Sequence, residues 1–153
     1  MKPPVRIFSE RRQLRGFGFT LLEMMVVVAV FGILATIAIP YYIGDVHKGQ
    51  RADATTSLRD LANRLERYYS DNNTYATATI GAGVASTDVL PAAPSKQGYY
   101  TLSFSAQSAT AYVIKATRVS TGPLAGDTEC GDFSLSSTDV RSVTGTLPWN
   151  RCW

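Results

Sequence analysis

The 153-residue sequence predicts an α+β fold in which one long N-terminal helix packs against a small antiparallel β-sheet. Three observations support this prediction: an apolar run of helical length near the N-terminus, a helical periodicity that continues beyond it, and alternating strand-like segments in the C-terminal half. They divide the chain into a basic leader (1–18), an apolar half-helix (19–43), an amphipathic half-helix (44–70), a loop (71–97) and a sheet with a disulfide-closed C-terminal region (98–153).

The leader concentrates the positive charge of the chain. It carries five basic residues against one acidic residue, so it contributes about +4 to a whole-chain net charge of +3 and leaves about −1 for the remainder. The basic pI of about 9.0 therefore belongs to the leader and does not indicate nucleic-acid binding by the rest of the chain. The charged residues of the leader are Lys2, Arg6, Glu10, Arg11, Arg12 and Arg15.

The apolar run of residues 19–43 predicts a membrane span. As a helix it would be about 37 Å long at ~1.5 Å per residue, which exceeds the roughly 30 Å of a bilayer core. Basic residues before the run place its N-terminus in the cytoplasm. A cleaved secretory signal is the alternative interpretation, because residues 36–38 resemble a small-residue cleavage site, but this alternative gives Glu23 no role.

Glu23 is an ionisable residue near the start of this span. A charge at the centre of a membrane helix costs about 2.5–3.5 kcal/mol on insertion scales, so such a residue normally has a specific partner. A newly made N-terminal amino group is the partner that we expect. The alternative is a carboxylate that extends to water at the cytoplasmic interface.

Helical periodicity continues beyond the span. Apolar residues recur at spacings of three and four on one face, so a single helix is expected from about residue 19 to residue 70, ended by the turn-forming residues Asp71, Asn72 and Asn73. The residues of the apolar face are Leu58, Leu61, Ala62, Leu65, Tyr68 and Tyr69.

The C-terminal half reads as a loop followed by strands. Residues 74–97 are rich in Ala, Thr, Gly and Pro without a sustained period, which indicates a connecting loop. Short connections favour an antiparallel meander for the segments that follow. The expected strands are 99–105, 111–118 and 132–137, with a fourth around 140–143.

The sequence GFTLLE at residues 18–23, followed by the apolar run, resembles the processing motif of type IV pilins and type II secretion pseudopilins. The resemblance implies that a membrane prepilin peptidase cuts between Gly18 and Phe19 and methylates the Phe19 amino group. It also implies that the Glu23 carboxylate pairs with the Phe19 ammonium of a neighbouring subunit. A cut after Gly16 would place Leu21, not Glu23, fifth in the mature chain.

The resemblance extends to the PilE-like pilins of type IVa pili through residues 51–75, ECGDFSLSS around Cys130, and the terminal Cys152-Trp153. It implies that residues 74–97 and 130–152 form the exposed edges of the head, which is the soluble part of each subunit. Within the span, Gly32 and Pro40 are predicted weak points, because glycine lowers helix propensity and proline removes a backbone donor. The resemblance implies that this interval loses helical hydrogen bonds in a filament, and the alternative is a membrane helix with a modest kink.

Cys130 and Cys152 are the two cysteines of the chain. Outside the cytoplasm they are expected to form a disulfide, which would contribute roughly 3 kcal/mol by the chain-entropy estimate. Zinc binding is not expected, since the single histidine, His47, fits a helix surface.

These features predict a structural protein and not an enzyme, because no catalytic constellation is present, and they imply no cofactor or metal. The resemblance implies a pilin subunit, which we expect to act in a minor role and to serve pilus biogenesis, adhesion and twitching motility. The expected partners are other pilin subunits, the prepilin peptidase, the inner-membrane assembly platform and, before assembly, membrane lipid. The expected locations are the bacterial inner membrane, with a single span and a cytoplasmic N-terminus, and then the extracellular pilus.

Two alternatives remain open. A type II secretion pseudopilin would carry a calcium site, for which the acidic residues Asp127, Glu129, Asp132 and Asp139 are candidates, although solvated turns are the simpler interpretation. A DNA-receptor pilin for natural transformation would need phosphate contacts. The candidate cations are Lys96, Lys115, Arg118, Arg141 and Arg151.

Overall fold

The structure is a computed structural model that describes residues 19–153. The leader, and with it Gly18, lies outside the described residues. The elements in chain order are the helix α1 (Leu21–Asn72), the strands β1 (Thr79–Ile80), β2 (Asp88–Leu90), β3 (Tyr100–Gln107), β4 (Tyr112–Arg118), β5 (Phe133–Ser136) and β6 (Arg141–Val143), and the short helix α2 (Trp149–Cys152).

Helix α1 begins and ends two residues later than the sequence prediction. Its start is set by Thr20, whose Oγ1 accepts a hydrogen bond from the Glu23 backbone N–H at 3.2 Å, so Thr20 acts as the N-cap. At the other end Asn72 stays helical and donates its side-chain amide to the Tyr68 carbonyl at 3.0 Å. The helix stops at Asn73, which adopts a φ of 55° in the left-handed region.

The chain divides into two compact units after Pro40. In the described part of the first unit, residues 19–39 are all exposed. The second unit has its own hydrophobic core, in which the C-terminal part of α1 packs against the inner face of the sheet. Its fully buried residues include Leu58, Leu61 and Leu65 of α1, Tyr100 of β3, Ile114 and Ala116 of β4, and Phe133 of β5. The predicted α+β architecture, with a helix on an antiparallel sheet, is confirmed.

The sheet has the order β3-β4-β5-β6, and each neighbouring pair is antiparallel, as the predicted meander requires. Burial alternates along β4, where Tyr112, Ile114 and Ala116 face the core. The β3–β4 pairing contains an irregularity between Phe104 and Ala106, which interrupts the ladder near its end. The strands differ from the sequence prediction by one or two residues at their ends.

The segment predicted as a featureless loop contains a two-stranded parallel pair, β1 and β2. The Asp88 carboxylate organises the turn between them, since it accepts hydrogen bonds from the backbone N–H groups of Ala82 at 3.0 Å, Gly83 at 2.7 Å and Val84 at 3.0 Å. Thr79 Oγ1 donates to the same carboxylate at 2.6 Å. These four bonds give the loop a defined shape without a long strand.

Candidate functional site

The N-terminal segment presents an exposed apolar surface with one carboxylate. Phe19 is 72% exposed, and residues 24–39 are all exposed and consist mostly of Met, Val, Ile, Leu and Phe. Helix α1 contains a stretch long and apolar enough to cross a membrane. Within residues 19–153 the Glu23 carboxylate takes part in no ion pair, and Glu23 sits in the first turn, where the helix dipole favours a negative charge.

A buried ion pair fixes the base of the C-terminal disulfide loop. Arg51 of α1 donates from Nε to Asp127 Oδ2 at 2.8 Å and from Nη2 to Asp127 Oδ1 at 2.7 Å. The side chains of Arg51 and Asp127 are 9% and 2% exposed, so the pair is largely removed from water. Arg51 Nη2 also contacts the exposed Glu129 carboxylate at 2.8 Å. Two-point pairing of this kind fixes both orientation and distance.

Asp132 is the second anchor of this loop. Its carboxylate pairs with Lys115 Nζ at 3.0 Å and with Arg118 Nε at 3.1 Å, both from β4. Arg118 Nη1 also donates to the Asp127 carbonyl. The interpretation of Asp127 and Asp132 as solvated turn residues is therefore wrong, because both carboxylates are held by cations. Lys115 and Arg118, two of the candidate phosphate contacts, are committed to the same network.

Each of the acidic residues considered as candidates for a calcium site forms an ion pair within the described residues. Asp127 is directed to Arg51, Asp132 to Lys115 and Arg118, and Asp139 to Arg141 at 2.7 Å. Among residues 19–153 no group of three acidic, histidine or cysteine side chains converges in a way that could hold a metal ion. The carboxylates therefore serve as ion-pair partners in this part of the chain.

These surroundings lower the pKa of the buried Asp127 carboxyl and of the partly buried Asp132 carboxyl. Burial alone would raise the pKa of Asp127, but the hydrogen bond from Arg51 and those from the Cys130 and Glu129 backbone N–H groups outweigh burial and hold that pKa below its ordinary value. Burial also raises the pKa of Asp132. The hydrogen bonds from Lys115 and Arg118 outweigh burial, so the pKa of Asp132 lies below its ordinary value as well. Both groups are carboxylates at neutral pH.

Asp53 of α1 forms a second buried polar cluster that the sequence analysis missed. It is 3% exposed, and its carboxylate accepts hydrogen bonds from Ser95 Oγ at 2.5 Å and from the backbone N–H groups of Gln97 at 3.1 Å and Tyr99 at 3.4 Å. These bonds tie the loop before β3 to the helix. The sequence did contain a signal that Asp53 lies near the core, because Asp53 directly precedes Ala54, which lies one turn before Leu58 on the apolar face.

Cys130 and Cys152 form the expected disulfide, with an S–S distance of 2.04 Å and a Cα–Cα distance of 5.7 Å. The disulfide attaches α2 covalently to Cys130, and Trp153, the residue after α2, contacts the sheet. Trp153 packs edge-on against Phe133 with ring centroids 5.9 Å apart, and the Arg141 guanidinium lies 5.6 Å from the centre of the Trp153 ring. Trp153 Nε1 donates weakly to the Ser142 carbonyl at 3.5 Å.

A groove of about 560 Å³ lies in the second unit between α1 and the segment that leads into β3. Pro91 and Pro94 contribute to its apolar side, and Asp60, Arg64 and Lys96 contribute charge. Arg64 is paired with Asp60 at 2.9 Å, whereas Lys96 has no ion pair within residues 19–153. Of the five candidate phosphate contacts, Lys96 and Arg151 are thus exposed and without an acidic partner in the described chain.

Comparison with known proteins identifies the family. Residues 40–134, more than half of the chain, match the family described as "Type IV minor pilin ComP, DNA uptake sequence receptor". The chain belongs to this type IV pilin family. Residues 15–39 of the pilin match the prokaryotic N-terminal methylation motif, which includes Gly18, Phe19 and Glu23.

Individual relatives agree with this assignment. The pilin is 36% identical over 110 residues to fimbrial protein EcpC of Eikenella corrodens, a match that covers 71% of this chain and 67% of the relative. It is 39% identical over 85 residues to type II secretion system core protein G of Aeromonas hydrophila, covering 56% of this chain and 59% of that protein. For the core G proteins of Aeromonas, Vibrio cholerae and Dickeya chrysanthemi, the match spans between 44% and 59% of the relative's length.

The fold of the pilin is also that of a solved structure. The non-core minor pilin PilV of Neisseria meningitidis superimposes with a TM-score of 0.50 at 20% identity, over 67% of this chain and 90% of PilV. At that identity the likeness concerns the fold alone. The pilin is therefore a structural subunit by family, built on the same helix-and-sheet head.

Proposed function

We propose that this pilin is a subunit, in a minor role, of a bacterial type IV pilus that serves adhesion and twitching motility. The observation that supports the proposal is the exposed apolar surface of residues 19–39, which bears a single carboxylate at Glu23. Apolar side chains exposed in this number need lipid or other helices around them. A membrane provides the lipid, and a filament core of parallel pilin helices provides the other helices.

Assembly then follows from the chemistry of the first turn. Prepilin peptidase removes residues 1–18 and methylates the new Phe19 amino group, while the span holds the subunit in the inner membrane with its N-terminus in the cytoplasm. The assembly platform transfers the helix from lipid to the growing bundle. The Glu23 carboxylate pairs with the Phe19 ammonium of an adjacent subunit, which neutralises both charges in apolar surroundings and sets the axial register. Gly32 and Pro40 are the points at which the bundled helix yields first.

The substitution Glu23→Ala tests the proposal in the native host. We expect the variant to be inserted and processed normally but to be absent from sheared pili, because the register-setting charge is lost. Thr36→Ala is the matched control, since among residues 19–153 the Thr36 hydroxyl bonds only to the Ile33 carbonyl of its own helix, at 2.7 Å. Immunoblots of membranes and of sheared filaments measure both fractions. Incorporation of Glu23→Ala at the wild-type level would refute the assembly role.

A type II secretion pseudopilin is the first alternative, and the identity with the core G proteins supports it. The two systems share the N-terminal motif, so the discriminating observation is physiological. Deletion of the gene should reduce pilus number or pilus-dependent motility if the first proposal holds, and should retain exoproteins in the periplasm if the alternative holds.

A DNA-receptor pilin is the second alternative, and the match of residues 40–134 to a family described as a DNA uptake sequence receptor supports it. Binding would have to use cations that carboxylates do not already occupy, and Lys96 and Arg151 meet this condition within the described residues. If the head binds DNA, Lys96→Ala and Arg151→Ala should each weaken binding and lower its dependence on salt. Exposed Lys48→Ala is the control, because Lys48 pairs with Asp45 at 2.9 Å. Absence of binding at low salt removes this alternative.

A further inference from the structure

Two exposed tyrosines follow the apolar run at the start of the second unit. The side chains of Tyr41 and Tyr42 are 76% and 72% exposed. Because they are consecutive in α1, they project about 100° apart around the helix axis and do not share one face. Among the described residues neither hydroxyl forms a hydrogen bond, whereas the hydroxyl of Tyr75 donates to Glu66. Two amphipathic rings on different sides of the helix therefore face the surroundings of the chain.

The helix becomes charged within about one turn of these rings. Asp45 and Lys48 form an ion pair at 2.9 Å, and their side chains are 76% and 74% exposed. Asp45 lies four residues after Tyr41, which is about 6 Å along a helix. Charged side chains with this exposure belong in water. The chain thus passes from an apolar run through two tyrosines to charged residues, which is the order found at a membrane–water interface.

The spacing of the charges along the sequence matches the thickness of a bilayer core. Between Glu23 and Asp45 lie 21 uncharged residues, 24–44. As a helix they would extend about 31 Å, against roughly 30 Å for the hydrocarbon core. A shift of this segment in either direction would bring one of the two carboxylates into hydrocarbon, which is unfavourable. The segment therefore has one depth at which both carboxylates stay in contact with water.

We propose that Tyr41 and Tyr42 bind the lipid headgroup layer on the outer side of the inner membrane and hold the unassembled subunit at this depth. The inference rests on the proposed function, because it requires a pilin subunit that spans a membrane before assembly. The phenol rings pack among the upper parts of the acyl chains. Their hydroxyls exchange hydrogen bonds with lipid phosphate and ester oxygens and with water.

This depth determines when the Glu23 charge needs a partner. In the membrane the carboxylate lies in the cytoplasmic headgroup layer and remains hydrated, so a pair with the Phe19 amino group of another subunit contributes little. When α1 leaves lipid for the bundle of helices, water is excluded and the unpaired charge becomes costly. Pairing is then favoured at transfer to the filament and not between subunits that are still in the bilayer.

Nitroxide-labelled lipids measure the depth of each residue. The full chain is placed in nanodiscs of phosphatidylethanolamine and phosphatidylglycerol that carry the nitroxide either on the headgroup or at the end of an acyl chain. Paramagnetic relaxation of the backbone amides is read by NMR. With the headgroup label we expect maxima at residues 22–24 and 41–43, each at least threefold above the value at residue 32. The acyl label should give the opposite profile. A headgroup maximum beyond residue 45 or before residue 39 would overturn the proposal.

Paired variants assign the depth to the two tyrosines. Tyr41→Leu combined with Tyr42→Leu keeps apolar side chains but removes the interfacial preference, so the headgroup effect at residues 41–43 should fall at least twofold. Tyr41→Trp combined with Tyr42→Trp is the matched control and should keep the wild-type profile, because tryptophan shares the interfacial preference of tyrosine. A wild-type profile in the leucine variant, or a leucine-like profile in the tryptophan variant, would refute the anchor.

The same measurement separates failure of the anchor from failure of the proposed function. If the acyl label leaves residues 24–39 unaffected, the chain does not span the bilayer, and both proposals fail. If residues 24–39 respond to the acyl label but the headgroup maximum lies away from Tyr41 and Tyr42, only the anchor is refuted. Exclusion of Glu23→Ala from sheared pili would then still support the subunit role.

Discussion

Arg51 and Asp127 are separated by 76 residues in the sequence and meet in a buried two-point ion pair, with Nε–Oδ2 and Nη2–Oδ1 distances of 2.8 and 2.7 Å. The pair joins the helix to the base of the disulfide loop. Neither side chain has ready access to water. Removal of one partner would leave the other as an unpaired buried charge, which would lower the stability of the fold.

Replacement of Arg51 should destabilise the head strongly. Arg51→Met leaves the Asp127 carboxylate buried without its cation, and we expect the free energy of unfolding to fall by about 3–5 kcal/mol. Denaturant unfolding followed by tryptophan fluorescence measures this change, since both tryptophans, Trp149 and Trp153, lie in the head.

The matched control for this substitution is Arg64→Met. Arg64 also forms an ion pair from α1, but it and its partner Asp60 are 46% and 58% exposed. Solvent-exposed pairs contribute at most about 1 kcal/mol, so the control should stay within that range. Equal effects of the two substitutions would contradict the assignment of Arg51 as a buried anchor.

Stability should fall in acid because of the same network. The pKa values of Asp127 and Asp132 are lowered in the folded state, so the unfolded chain binds protons at a higher pH than the folded chain does. Their contribution is present above the unfolded carboxyl pKa of about 3.9 and is lost as the pH falls through the lower folded values. Denaturant midpoints measured between pH 6 and pH 2.5 should decline below about pH 4.5, and Asp127→Asn should show a shallower decline. A flat profile for the wild type would exclude this linkage.

Gly145 should be intolerant of any side chain. A Cβ at this position would lie 2.0 Å from the Glu129 carbonyl oxygen and 2.6 Å from the Cys130 carbonyl carbon, both of which belong to backbone. Gly145→Ala therefore forces the two chain segments apart and should cost about 1–3 kcal/mol or more. Gly126→Ala is the control, because a Cβ there has no neighbour within 4 Å. Comparable melting temperatures for the two variants would argue against the close approach.

Processing should depend on Gly18 and not on Gly16. Gly18→Leu places a side chain where the peptidase must approach extended backbone, so we expect the uncut precursor to accumulate. The control Gly16→Leu should be cut normally, since it leaves the Gly18-Phe19 junction unchanged. Intact mass spectrometry of native material reports the outcome: mature wild type should begin at Phe19 and be heavier by one methyl group. Wild-type protein that retains its leader in cells with active peptidase would oppose the proposed cleavage site.

The sequence predicts the parts of the fold in which apolar residues recur at the regular spacing of a helix or a strand. Leu58, Leu61 and Leu65 recur at helical spacing and are fully buried, and Tyr112, Ile114 and Ala116 alternate along β4 in the same way. Each position can be assigned a face from its immediate neighbours. The N-terminal motif is equally local, because Gly18, Phe19 and Glu23 lie within six residues.

The parts that the sequence does not predict depend on partners far along the chain. Arg51 and Asp53 are charged residues on a helix, for which a solvated position is the ordinary expectation. They are buried because Asp127 and Ser95 reach them from loops. The β1–β2 pair escapes prediction for a different reason, since its strands contain only two and three residues, too few for a period to be recognised in the sequence.

The Asp88 carboxylate, held by the N–H groups of Ala82, Gly83 and Val84, keeps the loop between β1 and β2 in shape from within. The side chains of Ala82, Val84 and Ala85 are exposed and make no contribution to these bonds, so substitutions there leave the bonds to Asp88 intact. Substitutions at these positions can therefore alter the chemistry of this part of the surface while the backbone that displays it stays constant. The same property makes the tip a suitable place to graft a foreign epitope.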